Sequence, residues 1–180
     1  LVARLEGLLL PTASEPDWSA VAWRWQQQHG RGYLITVPYP HLISLADLHN
    51  IDEQKAEIVR NTRQFLQNLP ANNVLLTGAR GTGKSSLVKA LLSDFTKEGL
   101  RLVEVEKQDL VALPEIVALI RNRPEHFIVF CDDLSFETGE PGYKALKVVL
   151  DGSVAATSDN VLVYATSNRR HLMPEYMSEN

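Results

Sequence analysis

Eight residues, Gly78-Ala79-Arg80-Gly81-Thr82-Gly83-Lys84-Ser85, have the spacing G-x-x-x-x-G-K-[ST]. The glycines let the backbone curl until successive N–H groups point inward, as phosphate oxygens require. A helix starting at Lys84 adds the positive end of its dipole. Lys84 then reaches β- and γ-phosphates, and the Ser85 hydroxyl is a magnesium ligand. The expected phosphate contacts run through Gly78, Ala79, Arg80, Gly81, Thr82, Gly83, Lys84, Ser85 and Ser86. Arg80 is the weakest of these: contact with phosphate or a neighbouring chain competes with a solvated loop arginine, which is the favoured explanation. The competing explanation of the whole segment is a glycine-rich turn with a surface lysine. It needs four fixed positions to coincide by chance at a strand-to-helix junction.

A second polar group stands where burial would penalise it. The apolar run Phe127-Ile128-Val129-Phe130-Cys131 leads directly into Asp132-Asp133. Adjacent carboxylates at the end of a buried strand are costly unless a cation or ordered water compensates them. Magnesium supplies that compensation if Asp132 ligates it opposite Ser85. Asp133 then orients or deprotonates an attacking water. Asp133 is the favoured base, and Glu137, four residues on, is the alternative. A third group closes another apolar run, Val161–Thr166: Asn168 donates and accepts at once, which suits fixing a water between phosphate and base. Thr166 and Ser167 are substitutes for that role. The expected catalytic set is therefore Asp133, Asn168 and Lys84, with Ser85 and Asp132 on the metal. Arg169-Arg170-His171 stays open among phosphate contact, contact with a neighbouring subunit or nucleic acid, and a solvated basic turn.

These groups need a scaffold that collects strand ends. The chain alternates between the two periods. Strands are expected at 73–77, where the strand reads as buried, and at 100–105, 127–131 and 161–166. Helices are expected at 84–96, 114–121 and 143–150, with an earlier helix at 52–69 capped by Asn50 or Asp52 and closed by Pro70. Alternation of this kind implies an α/β fold, a parallel sheet sandwiched by helices. In such sheets ligands bind at the carboxyl ends of the strands. Residues 1–44 differ. They hold all three tryptophans and Pro11, Pro16, Pro38 and Pro40. They read as an N-terminal appendage with a short helix at 18–28 and a strand at 33–37, and as a docking place for a partner. Residues 45–180 read as the nucleotide-binding core.

Composition narrows the class. With 180 residues, of which 44% are hydrophobic, the chain is long enough for one real core. A net charge of −4 argues against a globally basic nucleic-acid binder. The single cysteine, Cys131, forbids an internal disulfide and fits a reducing, cytoplasmic setting. No apolar run approaches the ~20 residues that span a bilayer. The ends, lacking an initiator Met and a closing element, read as those of a fragment.

At these motifs the chain resembles the AAA+ ATPases. Gly78–Ser85 looks like Walker A, Phe127–Asp133 like Walker B, and Asn168 like the first sensor. More narrowly, Ala71-Asn72-Asn73-Val74-Leu75-Leu76, Cys131–Glu137 and Ala165–Leu172 are similar to a bacterial AAA+ family of unknown function, catalogued as domain of unknown function 815, over roughly residues 20–180. The resemblance implies a P-loop NTPase sheet ordered 5-1-4-3-2, with the fifth strand, the helical lid, the second sensor and the arginine finger outside this stretch. It also implies ATP and Mg2+ as cofactors, adenine near Leu48 and Ile51, and a homo-oligomeric ring acting on a protein or nucleic acid. AAA+ ATPases more often have Asp-Glu where this chain has Asp132-Asp133, which weakens the expected turnover. Three functions are compatible with these features: an AAA+ ATPase that remodels a partner, a nucleotide-binding scaffold with little turnover, and a P-loop kinase. No Asn-Lys-x-Asp segment is present to read guanine.

Overall fold

The computed structural model describes residues 15–38, 43–137, 139–150 and 158–168. The elements run β1 Ala22–Gln28, β2 Arg31–Thr36, α1 Asp52–Leu66, β3 Val74–Thr77, α2 Lys84–Phe95, β4 Leu100–Glu104, α3 Leu113–Ile120, β5 His126–Cys131, α4 Pro141–Leu150 and β6 Val161–Ser167. They build one sheet in the order β2-β1-β4-β5-β6-β3, parallel throughout except for the β1–β2 hairpin. The run β3-β6-β5-β4 is the 1-4-3-2 part of the order that the resemblance implied. Among the described residues no strand lies on the far side of β3, where a fifth would pair.

Strands β5 and β6 carry uninterrupted apolar runs, Phe127–Cys131 and Val161–Ala165, because both faces of the sheet are covered. Phe127 and Val129 of β5 face one way, with Trp23, Val103 and Val163, onto Leu113, Ile116 and Ile120 of α3 and Leu146 and Val149 of α4. Ile128 and Phe130 face the other way, with Leu102, Leu162 and Tyr164, onto Ile58 and Phe65 of α1 and Leu87, Val88 and Leu91 of α2. Each such side chain contributes about 1.5–3 kcal/mol on burial. Helix α1 turns Ile58, Thr62 and Phe65 inward, and Ile51 occupies its N-cap without a side-chain hydrogen bond. The capping expected of Asn50 or Asp52 is absent. Asp52 instead lies in the first turn, where its charge opposes the helix dipole.

Polar bonds fix β6 against its neighbours. The Tyr164 hydroxyl, between the sheet and α1, receives the Asn61 side-chain amide at 2.9 Å and lies 2.9 Å from Thr62 Oγ1. Asn61 also clasps the backbone of Asn72 through two bonds, of 2.8 and 2.9 Å. The Asn73 side-chain oxygen accepts the Val163 N–H at 2.8 Å. These contacts tie the segment entering β3, and hence the loop after it, to β6. Strand β3 itself is half-exposed, with Leu75 37% accessible, so the expectation of a buried strand does not hold. It forms the edge of the described sheet.

The N-terminal segment folds differently from the expected appendage helix. Residues 22–28 form β1, which pairs in parallel with β4 through Ala22↔Leu102, Trp23↔Val103 and Arg24↔Glu104. The alternation is that of a strand: Trp23 and Trp25 are 1% exposed, whereas Arg24 and Gln26 face solvent. Arg24 completes the pairing with a 2.8 Å bond to Glu104. Trp18 is held by the edge of this cluster, 5.5 Å from Trp23 and beneath the Arg123 guanidinium at 4.3 Å. The hairpin turns at His29-Gly30, whose φ values of 51° and 75° have the signs of a type I′ turn. The indole of Trp25 then lies flat over Gly32, so that a Cβ there would come within 1.8 Å of the ring.

Gly32→Ala should lower the denaturant midpoint by an overpacking cost of about 1–3 kcal/mol, measured by chemical unfolding monitored through tryptophan fluorescence. Cys131, fully buried at the end of β5, has its thiol pushed up by burial to about 12 from 9.0. The folded thiol therefore stays protonated while the unfolded one ionises. Its contribution to stability is fully present below pH 9 and is lost as pH rises towards 12. The native protein should resist a thiol reagent at pH 8, react on denaturation, and lose stability above pH 9 more steeply than Cys131→Ala.

Candidate nucleotide site

The carboxyl ends of β3, β6 and β5 lie side by side, and each continues into one polar segment. The loop after β3, residues 78–83, curls through three glycines with φ of 144°, 81° and 83° at Gly78, Gly81 and Gly83. Gly83 is the N-cap of α2 in the left-handed region, a conformation that other residues enter at a cost of about 1–2 kcal/mol. No side chain caps the helix. The N–H groups of Lys84, Ser85 and Ser86 open its first turn and have no intrahelical acceptor. Lys84 folds back across the loop. Its ammonium donates to the carbonyls of Gly78 and Ala79 at 2.8 and 2.7 Å and lies 3.4 Å from both Thr82 Oγ1 and Asn168 Oδ1. Thr82 braces the same turn by donating to Ala79 at 2.8 Å. Arg80 is exposed on the outside of the loop.

The acidic pair comes directly after β5. One oxygen of Asp132, Oδ1, accepts from Ser85 Oγ at 2.5 Å, Thr166 Oγ1 at 2.5 Å and the Asp133 N–H at 3.1 Å. Asp133 has a φ of 52°. Its N–H also donates to Thr166 Oγ1 at 2.8 Å. The next N–H, of Leu134, donates to the Thr166 carbonyl at 2.7 Å, and the Ser167 hydroxyl donates to the Leu134 carbonyl at 2.6 Å. The carboxylate of Asp133 in turn accepts the Asn168 amide at 2.5 Å. The structure thus brings Lys84, Asn168 and Asp133 into one hydrogen-bonded row, beside Ser85 and Asp132. Glu137, the alternative base, is exposed in the next loop, where its N–H donates to Glu140 at 2.8 Å and Glu140 pairs with Lys107 at 3.0 Å. Arg169, Arg170 and His171 lie outside the described residues.

Thr166 and Ser167 are the partners that motif reading undervalued. They are 1% and 0% exposed, at the end of a strand buried along its length. A buried hydroxyl needs a partner, and that signal was present in the sequence as two polar residues closing an apolar run. Leu48 and Ile51, where adenine was expected, are partly buried against the core that includes Leu87 and Leu91. The carbonyl of Leu48 accepts from Lys55 Nζ at 2.5 Å. Trp23 and Trp25 of the N-terminal segment face the interior, and Trp18 packs partly buried beside them. A groove of about 900 Å³ lies elsewhere, beside β3 and the start of β6, lined by Leu69, Leu75, Val149 and Val161 among others.

The site suits a magnesium nucleotide on its own chemistry. A hydroxyl and a carboxylate are the hard oxygen donors that Mg2+ takes. Among the described residues no group of three or more His, Cys, Asp or Glu could hold a metal unaided. The open helix terminus and the lysine supply the positive charge for phosphates.

Comparison with known proteins agrees with this architecture. No curated protein matches the chain. The structure of the Aeropyrum pernix ORC1 protein in complex with DNA is similar in fold, with a TM-score of 0.51 and 14% sequence identity over 67% of this chain. The match takes in 39% of that protein's length, so this chain spans about two-fifths of it. The parallel sheet with flanking helices is the α/β fold of the AAA+ P-loop NTPases. Residues 18–180 match the family described as Protein of unknown function (DUF815), and the chain belongs to that family.

Proposed function

We propose that the chain binds ATP with Mg2+ and hydrolyses it, as the nucleotide-binding part of an AAA+ ATPase that remodels a protein or nucleic-acid partner as a homo-oligomer. The observation that carries this reading is the meeting of Lys84, Ser85, Asp132, Asp133 and Asn168 at three adjacent strand ends. In the proposed site, Lys84 and the N–H groups of residues 78–86 bind the phosphates. Ser85 and Asp132 hold Mg2+, which when bound neutralises charge on the phosphates. Asp133 accepts a proton from the attacking water, and Asn168 holds that water in line. Adenine lies against Leu48 and Ile51. The setting is cytoplasmic. No described helix is long and apolar enough to cross a membrane.

The partner would dock on the N-terminal segment. Its exposed surface is the polar hairpin tip Gln26–Arg31, since Trp23 and Trp25 are internal. A second reading, a nucleotide-binding scaffold with slow turnover, has its own support: the shorter Asp133 carboxylate is already engaged by the Asn168 amide.

Titration with a fluorescent ATP analogue should show binding that GTP competes for weakly and that EDTA reduces. Lys84→Ala should abolish it. Asp133→Asn should retain binding while hydrolysis by the full-length protein falls by at least about 100-fold, the usual contribution of a general base. Unchanged hydrolysis in Asp133→Asn would remove Asp133 from the role of base and turn attention to Glu137. Hydrolysis per chain that does not rise with protein concentration would count against the oligomer.

A further inference from the structure

The described row of strand ends contains one buried group with two distinct bonds to the acidic pair. We infer that Thr166 is a positioning residue for magnesium and for the base, an inference that rests on the proposed nucleotide site. Its side chain is 1% exposed, so its hydroxyl end of both contacts is shielded from water although Asp132 and Asp133 are exposed. It gives its hydrogen to Asp132 Oδ1 at 2.5 Å and accepts the Asp133 N–H at 2.8 Å. A hydroxyl has one donor and two acceptor lone pairs, and Thr166 commits one of each to successive residues.

Those bonds act on both carboxylates. The donated bond fixes the torsion of the Asp132 carboxylate, so that Oδ1 stays toward Ser85 Oγ rather than rotating to solvent. The accepted bond, together with the Thr166 carbonyl that takes the Leu134 N–H at 2.7 Å, holds the chain at Asp133 in the left-handed region with φ 52°. In that conformation the Asp133 carboxylate reaches Asn168. One hydroxyl therefore sets the aim of both carboxylates. Such outer partners commonly tune metal affinity by 10–100-fold.

The test compares Thr166→Val, nearly isosteric but without the hydroxyl, and Thr166→Ser, which keeps it, in the full-length protein. Tyr164→Phe serves as a control that loses a buried hydroxyl from the same strand without touching Asp132. Thermal unfolding is measured on each. Mg2+ is then titrated into a fluorescent ADP analogue bound to each protein, and kcat and KM are measured separately. In Thr166→Val, the Mg2+ concentration at half effect should rise about tenfold, with affinity in EDTA unchanged. Its kcat should fall more than KM changes, and Thr166→Ser should restore both. Tyr164→Phe should lower the melting temperature and leave the Mg2+ response as in the wild type. If Thr166→Val does not fold, Thr166→Ser decides: a wild-type Mg2+ response supports the inference, and a weakened one overturns it. A wild-type protein that binds nucleotide, with a Thr166→Val that answers Mg2+ equally well, overturns the inference alone. A wild-type protein that binds no nucleotide overturns the nucleotide reading, and this inference with it.

Discussion

The insertion of β6 between β3 and β5 is the constraint on which the site depends. Its parallel register sets Thr77 opposite Ser167 and Cys131 opposite Ala165. Strands separated by long stretches of sequence thereby end within two residues of one another in register. The phosphate loop, the acidic pair and Asn168 each continue one of these three strands, so they emerge side by side. Parallel pairing is stable only with helices on both faces, and both apolar clusters supply that cover. Placement of the polar groups is thus a by-product of packing that involves none of them.

Packing alone does not aim the side chains. A buried strand end would leave the hydroxyls of Thr166 and Ser167 unsatisfied, at about 1–3 kcal/mol each. They are satisfied by the turn after β5, and that turn bends Asp133 into a conformation that most residues avoid. The local strain at Asp133 is offset by bonds formed nearby, a common arrangement where a site must be held in one geometry. The same solution is found at Tyr164, whose buried hydroxyl ties α1 to the sheet shortly before the polar segment begins.

The sequence was informative where one residue type has one physical meaning. Glycine, lysine and serine at fixed spacing declared the loop, and uninterrupted apolar runs declared β5 and β6. It was less informative where meaning depends on a distant partner. Gln26-Gln27-Gln28 is compatible with a helix, and only three residues, Trp23-Arg24-Trp25, carry the alternation of a strand. Pairing with β4, some eighty positions away, settles the matter in favour of β1. The half-exposed state of β3 is equally invisible locally, since Val74-Leu75-Leu76 is as apolar as a buried strand. Thr166 read only as the end of a strand and a substitute for Asn168, because its partners, Asp132 and Asp133, are brought to it by register rather than by proximity in sequence.

The parallel pairing of β1 with β4 bears on how the chain is made. The β1–β2 hairpin leaves the ribosome ahead of the rest of the described sheet, with the indoles of Trp23 and Trp25 destined for a core that does not yet exist. At about 5–20 residues per second, the strand that will cover its edge arrives several seconds later. Hairpins themselves close within about 10 μs, so the tryptophan-bearing ribbon forms early and then waits. During biosynthesis its apolar face and open edge are exposed together, and nascent-chain chaperones would find their natural target there. The arrival of β4 covers that edge and ends the interval.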